Sequence, residues 1–455
     1  LHLHIPGIII RQLDVANAYI NEDMKRRVLC RLPPGYTIVW LNRQARTFTF
    51  RRLKPGEKQP RLALPLLKAL YGGMECGRIF WEAWVAWHLA DGFQIIHEDR
   101  CYLCKRSPEG YFIKLGFHVD DNLIVALGDE FYHAYLARLT AKFDVEEGPL
   151  EEHLGVLYTL DIPRGTCQIT QPAQIKKVLK TFGYENCHSE QTPMFSGPAP
   201  CAADCDVPYD GEWDMQGFVG HLTWLHQCCR PDLGQVVKIL SRYTVNFGKR
   251  HVLLAKHILR YLKGTVTLGL TYRTGYPLYF QIFTDASHAT CVDTRRSIVS
   301  LVVKLGGNTV YWKVSFTTIV SHSSTESELM ALDAGATVSE ALRWLLEAIG
   351  GPVQGTICVF VDNLGPITIG SNPVQAGRNM HIHARYFYVR DLVYGTKVQL
   401  YPIPSQLQVA DVGCTFKGGQ SFVRLRAYLM ECACVVHPDG TDHDPIWEMM
   451  VDHEG

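Results

Sequence analysis

Apolar and polar positions change period several times along the chain, and each change marks an element. Over residues 7–14 an apolar, β-branched run (Ile8, Ile9, Ile10, then Leu13) stops at Asp14, the pattern of a buried strand followed by a turn. Two apolar arms, residues 112–119 and 123–126, flank Asp120, Asp121 and Asn122; they predict a hairpin with those three polar residues at its turn. Residues 64–89, broken by Gly72 and Gly73, read as helical from Arg78 onward.

Residues 215–263 carry mostly helical patterning. Within 249–263, Lys249, Lys256, Arg260 and Lys263 share one face at about 100° per residue, while Leu254, Ala255, Ile258 and Leu262 take the other. Such a stripe suits a solvated face or a helix that tracks a phosphate backbone. Further on, residues 279–284, 298–304 and 309–313 are β-rich. Residues 326–349 then place Leu342, Leu345, Leu346 and Ile349 at helical spacing, with Thr325 as expected N-cap and Glu328 at the capping-box position. Residues 356–361 form a short buried strand ending at Asp362. Strands and helices in this order indicate an α/β domain with a mixed sheet. Two breaks, 192–211 (rich in Pro, Ala, Asp and Gly) and 273–277, divide the chain into three parts.

At 455 residues the chain exceeds the size at which one core stops growing. Two or more domains are expected. Hydrophobic residues make up 47% and charged residues 20%, the range of a soluble globular protein. Lys plus Arg and Asp plus Glu both total 45. That balance excludes a strong overall pull on nucleic acid, so any such binding must come from local patches. No apolar run approaches the roughly 18 residues of a membrane span, and the start shows neither a secretory signal nor an initiating Met, so upstream sequence is expected. Fifteen scattered cysteines read as reduced thiols of an intracellular compartment; Cys101 and Cys104, lacking a second pair, read as ordinary thiols rather than a zinc site.

Candidate chemistry rests on carboxylates. Phosphoryl transfer between nucleotides needs divalent metals that clamp the attacking and leaving oxygens, and magnesium asks for several converging Asp and Glu side chains. Taken singly, Asp120-Asp121 is an ordinary hairpin turn and Asp14 an ordinary strand-end acid.

Read together, the motifs resemble those of copia-type retrotransposon reverse transcriptases. Gln12-Leu13-Asp14-Val15-Ala16-Asn17-Ala18-Tyr19, then Leu32-Pro33-Pro34-Gly35-Tyr36, Lys68-Ala69-Leu70-Tyr71-Gly72 and Phe117-His118-Val119-Asp120-Asp121 follow in that family's order, with Leu154-Gly155 and Gln171 beyond. Arg230-Pro231-Asp232, Leu240-Ser241-Arg242 and residues 258–265 resemble its thumb and connection. Thr284-Asp285-Ala286-Ser287, Ser327-Glu328-Leu329-Met330-Ala331, Val361-Asp362-Asn363 and Val409-Ala410-Asp411-Val412 resemble the RNase H motifs of the same elements. Arg378, His381, Ile382, Arg385 and Tyr386 match between the last two.

The resemblance implies an α/β and α+β multidomain chain: a polymerase palm with truncated fingers (1–170), a helical thumb and connection (171–275), an RNase H-like α/β domain (276–425) and a tail (426–455). It implies that Asp14, Asp120 and Asp121 hold polymerase metals, and that Asp285, Glu328, Asp362 and Asp411 hold those that cut the RNA of an RNA–DNA hybrid. Two Mg2+ per site are implied, with Mn2+ as a substitute. Tyr19 would gate the ribose 2′-hydroxyl; Tyr71, Gly72, Lys249, Lys256, Arg260 and Lys263 would contact substrate. Implied partners are an RNA template, the hybrid and dNTPs, with no membrane span, in the cytoplasm (as a virus-like particle) or the nucleus.

Several positions depart from the family pattern. Only thirteen residues precede Asp14, so the fingers are expected to be partial; Met74 stands where the family has Lys, Glu75 brings in an acid, His118 stands in place of Tyr, and Val314, Ser315 and Phe316 stand where the family tends to have basic residues. The competing expectation is a decayed or co-opted copy, a non-catalytic subunit of a large protein assembly, with an organelle as a further possible location. In the tail, His437, Asp439, Asp442, His443 and Asp444 are metal-capable, but a disordered polar segment is the expectation.

Overall fold

A computed structural model describes residues 3, 5–16, 18, 23–31, 34–42, 47–60, 63–69, 73, 75–96, 99–276, 278–351, 355–371, 387–431, 435–436 and 442–443. Packing divides the chain into two compact units: Gly7–Leu150, and Leu1–Pro6 with Glu151–Gly455.

In the first unit six strands form one antiparallel sheet in the order Val145–Pro149, Ile8–Val15, Asp121–Leu127, Phe112–His118, Tyr102–Arg106, Gln94–Ile95. Burial alternates along Asp121–Leu127, with Asn122, Ile124 and Ala126 inward, as a sheet covered on one face requires. The helices Cys76–Ala90 and Asp129–Thr140 supply that cover: Phe80, Trp84, Tyr132, Tyr135 and Leu139 share a core with Leu13, Leu115 and Ile124.

The hairpin turn lies earlier than its sequence suggests. His118 pairs with Asp121, so Val119 and Asp120 make the loop, while Asp121 and Asn122 already belong to the strand. Val119 takes φ 58°, a left-handed conformation that a β-branched side chain adopts only under constraint. The first helix starts at Cys76 rather than Arg78.

In the second unit five strands run in the order Asn308–Phe316, Ile298–Leu305, Phe280–Ser287, Ile357–Val361, Val398–Pro402. The first three pair antiparallel and the last two join in parallel. This is the mixed α/β sheet expected of the third part, and its inner strands, Phe280–Ser287, Ile298–Leu305 and Ile357–Val361, are buried almost throughout because both faces are covered. Ile282, Val303 and Val359 face a core built with the helix Ser324–Ala348. Phe283, Val302 and Phe360 face a second core built with Met215–Cys228, Lys249–Gly264 and Gly419–Met430.

The helices of 171–275 therefore share one core with the sheet that follows them, and Gly419–Met430 runs across position 425. Within that core Arg230 and Asp232 are fully buried and paired through two bonds, 2.9 and 2.8 Å; the Arg230 guanidinium also donates to Thr265. The central strand extends through Asp285 to Ser287, three residues past its expected end, and the third strand reaches Phe316. The long helix begins at Ser324 with Ser323 as its cap, two residues before the expected Thr325: Ser323 Oγ accepts from Glu326 N at 3.1 Å, and Glu326 accepts from His322 N at 2.6 Å. Glu328 is thereby released from any capping role. Among the described residues no helix is long and apolar enough to cross a membrane.

Candidate metal centres

Four acids converge at one end of the mixed sheet. Asp285 lies near the end of the central strand Phe280–Ser287, and Asp362 directly follows the parallel strand Ile357–Val361. Glu328 sits in the first turns of Ser324–Ala348, and Asp411 opens the short helix Asp411–Cys414. Oxygens of Asp285, Glu328 and Asp362 lie within 4.8 Å of one another; so do ligand atoms of Asp285, Asp411 and Cys414.

Local packing explains the convergence. Parallel pairing of the two acid-bearing strands ends at Phe283 and Phe360. Beyond that point the buried Gln408 amide donates to Thr284 O (3.1 Å) and Phe360 O (3.3 Å), bridging the backbone just before each acid. Gly413 lets the Asp411–Cys414 helix sit close, since a Cβ there would come 2.3 Å from Ser300 Oγ and 2.7 Å from Val314 Cγ2. Glu328 follows Ser327, whose hydroxyl joins Ser297, Ser321 and His288 in a hydrogen-bonded cluster.

The electrostatics of the cluster are unfavourable without a cation. Burial, then the Asp411 and Asp362 charges, raise Asp285 to about 7. Burial, then Asp285 and Asp362, push Glu328 up to about 9. Asp362 is also raised, by burial first and then by Asp411, against the Ser405 hydroxyl that donates to it at 3.1 Å. Lys417 Nζ lies 2.6 Å from Asp411 Oδ2 and offsets part of the charge. Glu328 Oε2 is buried with no hydrogen-bond partner. Hard oxygen donors, mutual repulsion and an orphaned buried oxygen together fit a divalent cation.

The other acids meet less tightly. Asp14 stands opposite Asp121 on one side and opposite Glu146 on the other. Asp120 O accepts from Val15 N (3.3 Å) and from the Asn122 amide (2.6 Å), tying the loop to the Asp14 strand. Burial, then Asp120, Asp121 and Glu146, raise the Asp14 carboxyl. Among the described residues no three of these carboxylates bring oxygens within 4.8 Å of one another.

Of the expected substrate contacts, Tyr19, Tyr71 and Gly72 lie outside the described residues, as do Arg378, His381, Ile382, Arg385 and Tyr386 and the side chains of His437, Asp439, Asp442, His443 and Asp444. Lys249 and Lys263 are exposed, and Arg260 is half-buried. Lys256 donates to the Tyr209 hydroxyl at 3.0 Å and lies over the Tyr209 and Trp213 rings, so its charge is engaged internally. Sequence reasoning missed Gln408, Cys414, Lys417 and Glu146. Cys414 and Lys417 follow Asp411 closely, but nothing in the sequence signals Gln408 or Glu146.

A family model described as reverse transcriptase (RNA-dependent DNA polymerase) matches residues 5–196. The Pol polyprotein of transposon TNT 1-94 from Nicotiana tabacum is 26% identical over 89% of this chain and 29% of its own length. That of transposon RE1 from Arabidopsis thaliana is 25% identical over 88% and 26%. The chain thus spans less than a third of these polyproteins. The foamy viral protease-reverse transcriptase in complex with dsDNA overlaps 87% of this chain and 68% of its own at a TM-score of 0.20 and 10% identity.

Proposed function

We propose, for a chain that belongs to the reverse transcriptase family of copia-type retrotransposon Pol polyproteins, that Asp285, Glu328, Asp362 and Asp411 cut the RNA strand of an RNA–DNA hybrid with Mg2+. The observation that carries this reading is the meeting of four acids from separate elements, with Glu328 Oε2 buried and unpartnered. Reverse transcriptases and RNases H use divalent metals, which supply charge stabilisation at the attacking and leaving oxygens of the phosphodiester. Asp285, Glu328, Asp362 and Asp411 would hold two such ions. Burial first, and then the neighbouring carboxylates, hold Glu328 and Asp285 above their ordinary range, and a cation held by the four acids would favour their ionised forms. Ser405 and Gln408 orient the acids rather than react.

The same chain would extend a primer on an RNA template with dNTPs, using Asp14, Asp120 and Asp121, with Tyr19 as sugar gate. The facing of Asp14 and Asp121 on paired strands supports it. Tyr71, Gly72, Lys249, Arg260 and Lys263 would contact nucleic acid, with Lys256 joining them only after leaving Tyr209. The site of action would be a virus-like particle in the cytoplasm, or the nucleus. Primer-extension and hybrid-cleavage assays on the wild type, Asp120→Asn and Asp362→Asn test both parts. Each substitution is expected to remove its own activity; a wild-type chain with neither activity, or activities unaffected by the substitutions, refutes the reading.

A further inference from the structure

We infer that the cavity walled by Gln235, Arg242 and Phe316 binds a small, uncharged, flat molecule of one or two rings that carries a lactam edge, with N–H and C=O side by side. This site goes beyond the nuclease and polymerase readings and needs neither of them.

The cavity measures about 270 Å³, close to the lower bound of about 300 Å³ usual for small-molecule sites. Its wall is made by the helices Gly234–Leu240 and Ser241–Tyr243, the strand ends at Ser287, Ile298 and Phe316, and the segments 194–201 and 414–416. None of Asp285, Glu328, Asp362 and Asp411 lines it.

Gln235 points to an occupant. It lines the cavity, is only 9% exposed, and its carboxamide has no hydrogen-bond partner among the described residues. An amide withdrawn from water and left unpaired is destabilising, so this one calls for a molecule that pairs with it. A carboxamide presents a donor and an acceptor side by side, and a lactam edge returns the complementary two.

The rest of the wall sets the occupant's charge and shape. Met194, Ile239 and Phe416 are apolar and offer water few partners. The Arg242 guanidinium donates to Cys291 Sγ at 2.8 Å and to Asp293 Oδ2 at 2.7 Å, so its charge is met within the wall and an uncharged occupant suffices. That guanidinium lies 5.2 Å from the centres of the Tyr243 and Phe316 rings. Together they make a layered wall of flat groups against which a planar ring packs. Asp293 also accepts from the Tyr243 hydroxyl (2.5 Å) and from Ala202 N (2.9 Å). The frame is thus set before anything enters, which limits the ordering lost on binding.

The test is titration of the whole chain with oxindole, a two-ring lactam, and with N-methyloxindole, which lacks the N–H, read by ligand-observed nuclear magnetic resonance. The wild type is expected to bind oxindole saturably and N-methyloxindole roughly tenfold or more weakly. Gln235→Leu breaks no hydrogen bond, so it is expected to unfold no earlier than the wild type, to bind oxindole roughly tenfold more weakly, and to lose the preference between the two molecules. Ala199→Phe, which fills the cavity from the segment 194–201, is expected to abolish binding and keeps the test decisive if Gln235→Leu does not fold. No saturable binding of oxindole by the wild type, equal binding of the methylated molecule, or undiminished binding by either variant overturns the inference.

Discussion

Asp285 on the central strand and Glu328 on the long helix that follows bring carboxylate oxygens within 4.8 Å of each other in a buried setting. Their folded-state values, about 7 and about 9, lie above the ordinary 3.8 and 4.5. The folded chain therefore binds more protons than the unfolded one between those limits, and stability drains as pH rises through about 7 and then about 9. Glu328→Gln removes its share of the loss, so its unfolding midpoint in EDTA should gain on the wild type as pH rises, and saturating Mg2+ should shrink the gap. Thermal unfolding of both proteins across pH checks this; a gap that narrows with rising pH in EDTA contradicts it.

Gln408 holds the backbone on which two of the acids stand. Gln408→Leu leaves the Thr284 and Phe360 carbonyls without its amide, which costs about 1–3 kcal/mol. Because the residue positions rather than reacts, kcat for hybrid cleavage should fall while KM for the hybrid holds. Steady-state kinetics beside denaturant unfolding reads both effects.

Gly413→Ala forces a methyl group against Ser300 and Val314. The expected cost is about 1–3 kcal/mol, with Asp411 displaced and divalent-ion affinity reduced. Mn2+ titration followed by electron paramagnetic resonance measures the loss, and unchanged Mn2+ affinity would contradict the proposed close packing.

Arg230 and Asp232 form a buried pair to which Tyr261 also donates. Arg230→Met strands a buried carboxylate and should cost about 3–5 kcal/mol. The double variant Arg230→Met/Asp232→Leu should recover much of that, since no unpaired charge remains. Chemical denaturation of the three proteins decides it.

How much of this was legible beforehand follows a physical line. Asp285, Asp362 and Asp411 each sit at or near the end of an apolar run or at a helix start, and such local patterns survive in sequence. Ser323 and Thr325 are both sound caps, so choosing between them needed the Glu326 bond to His322 N, a feature of the chain's entry into the helix. Turn chemistry favoured Asp120, Asp121 and Asn122, yet the register with the Asp14 strand placed a strained Val119 in the loop instead. Gln408 reaches the Thr284 and Phe360 carbonyls, Cys414 reaches Asp285, and Glu146 comes opposite Asp14 only through long-range packing, which no local pattern encodes.

The most direct measurement is cleavage of the RNA strand in an RNA–DNA hybrid by the purified chain, with Mg2+ or with EDTA, for the wild type and Glu328→Gln. Wild-type cutting is expected only with the cation, with a loss of roughly a hundredfold or more in Glu328→Gln. Cutting that persists in EDTA, or a Glu328→Gln chain as active as the wild type, would contradict it.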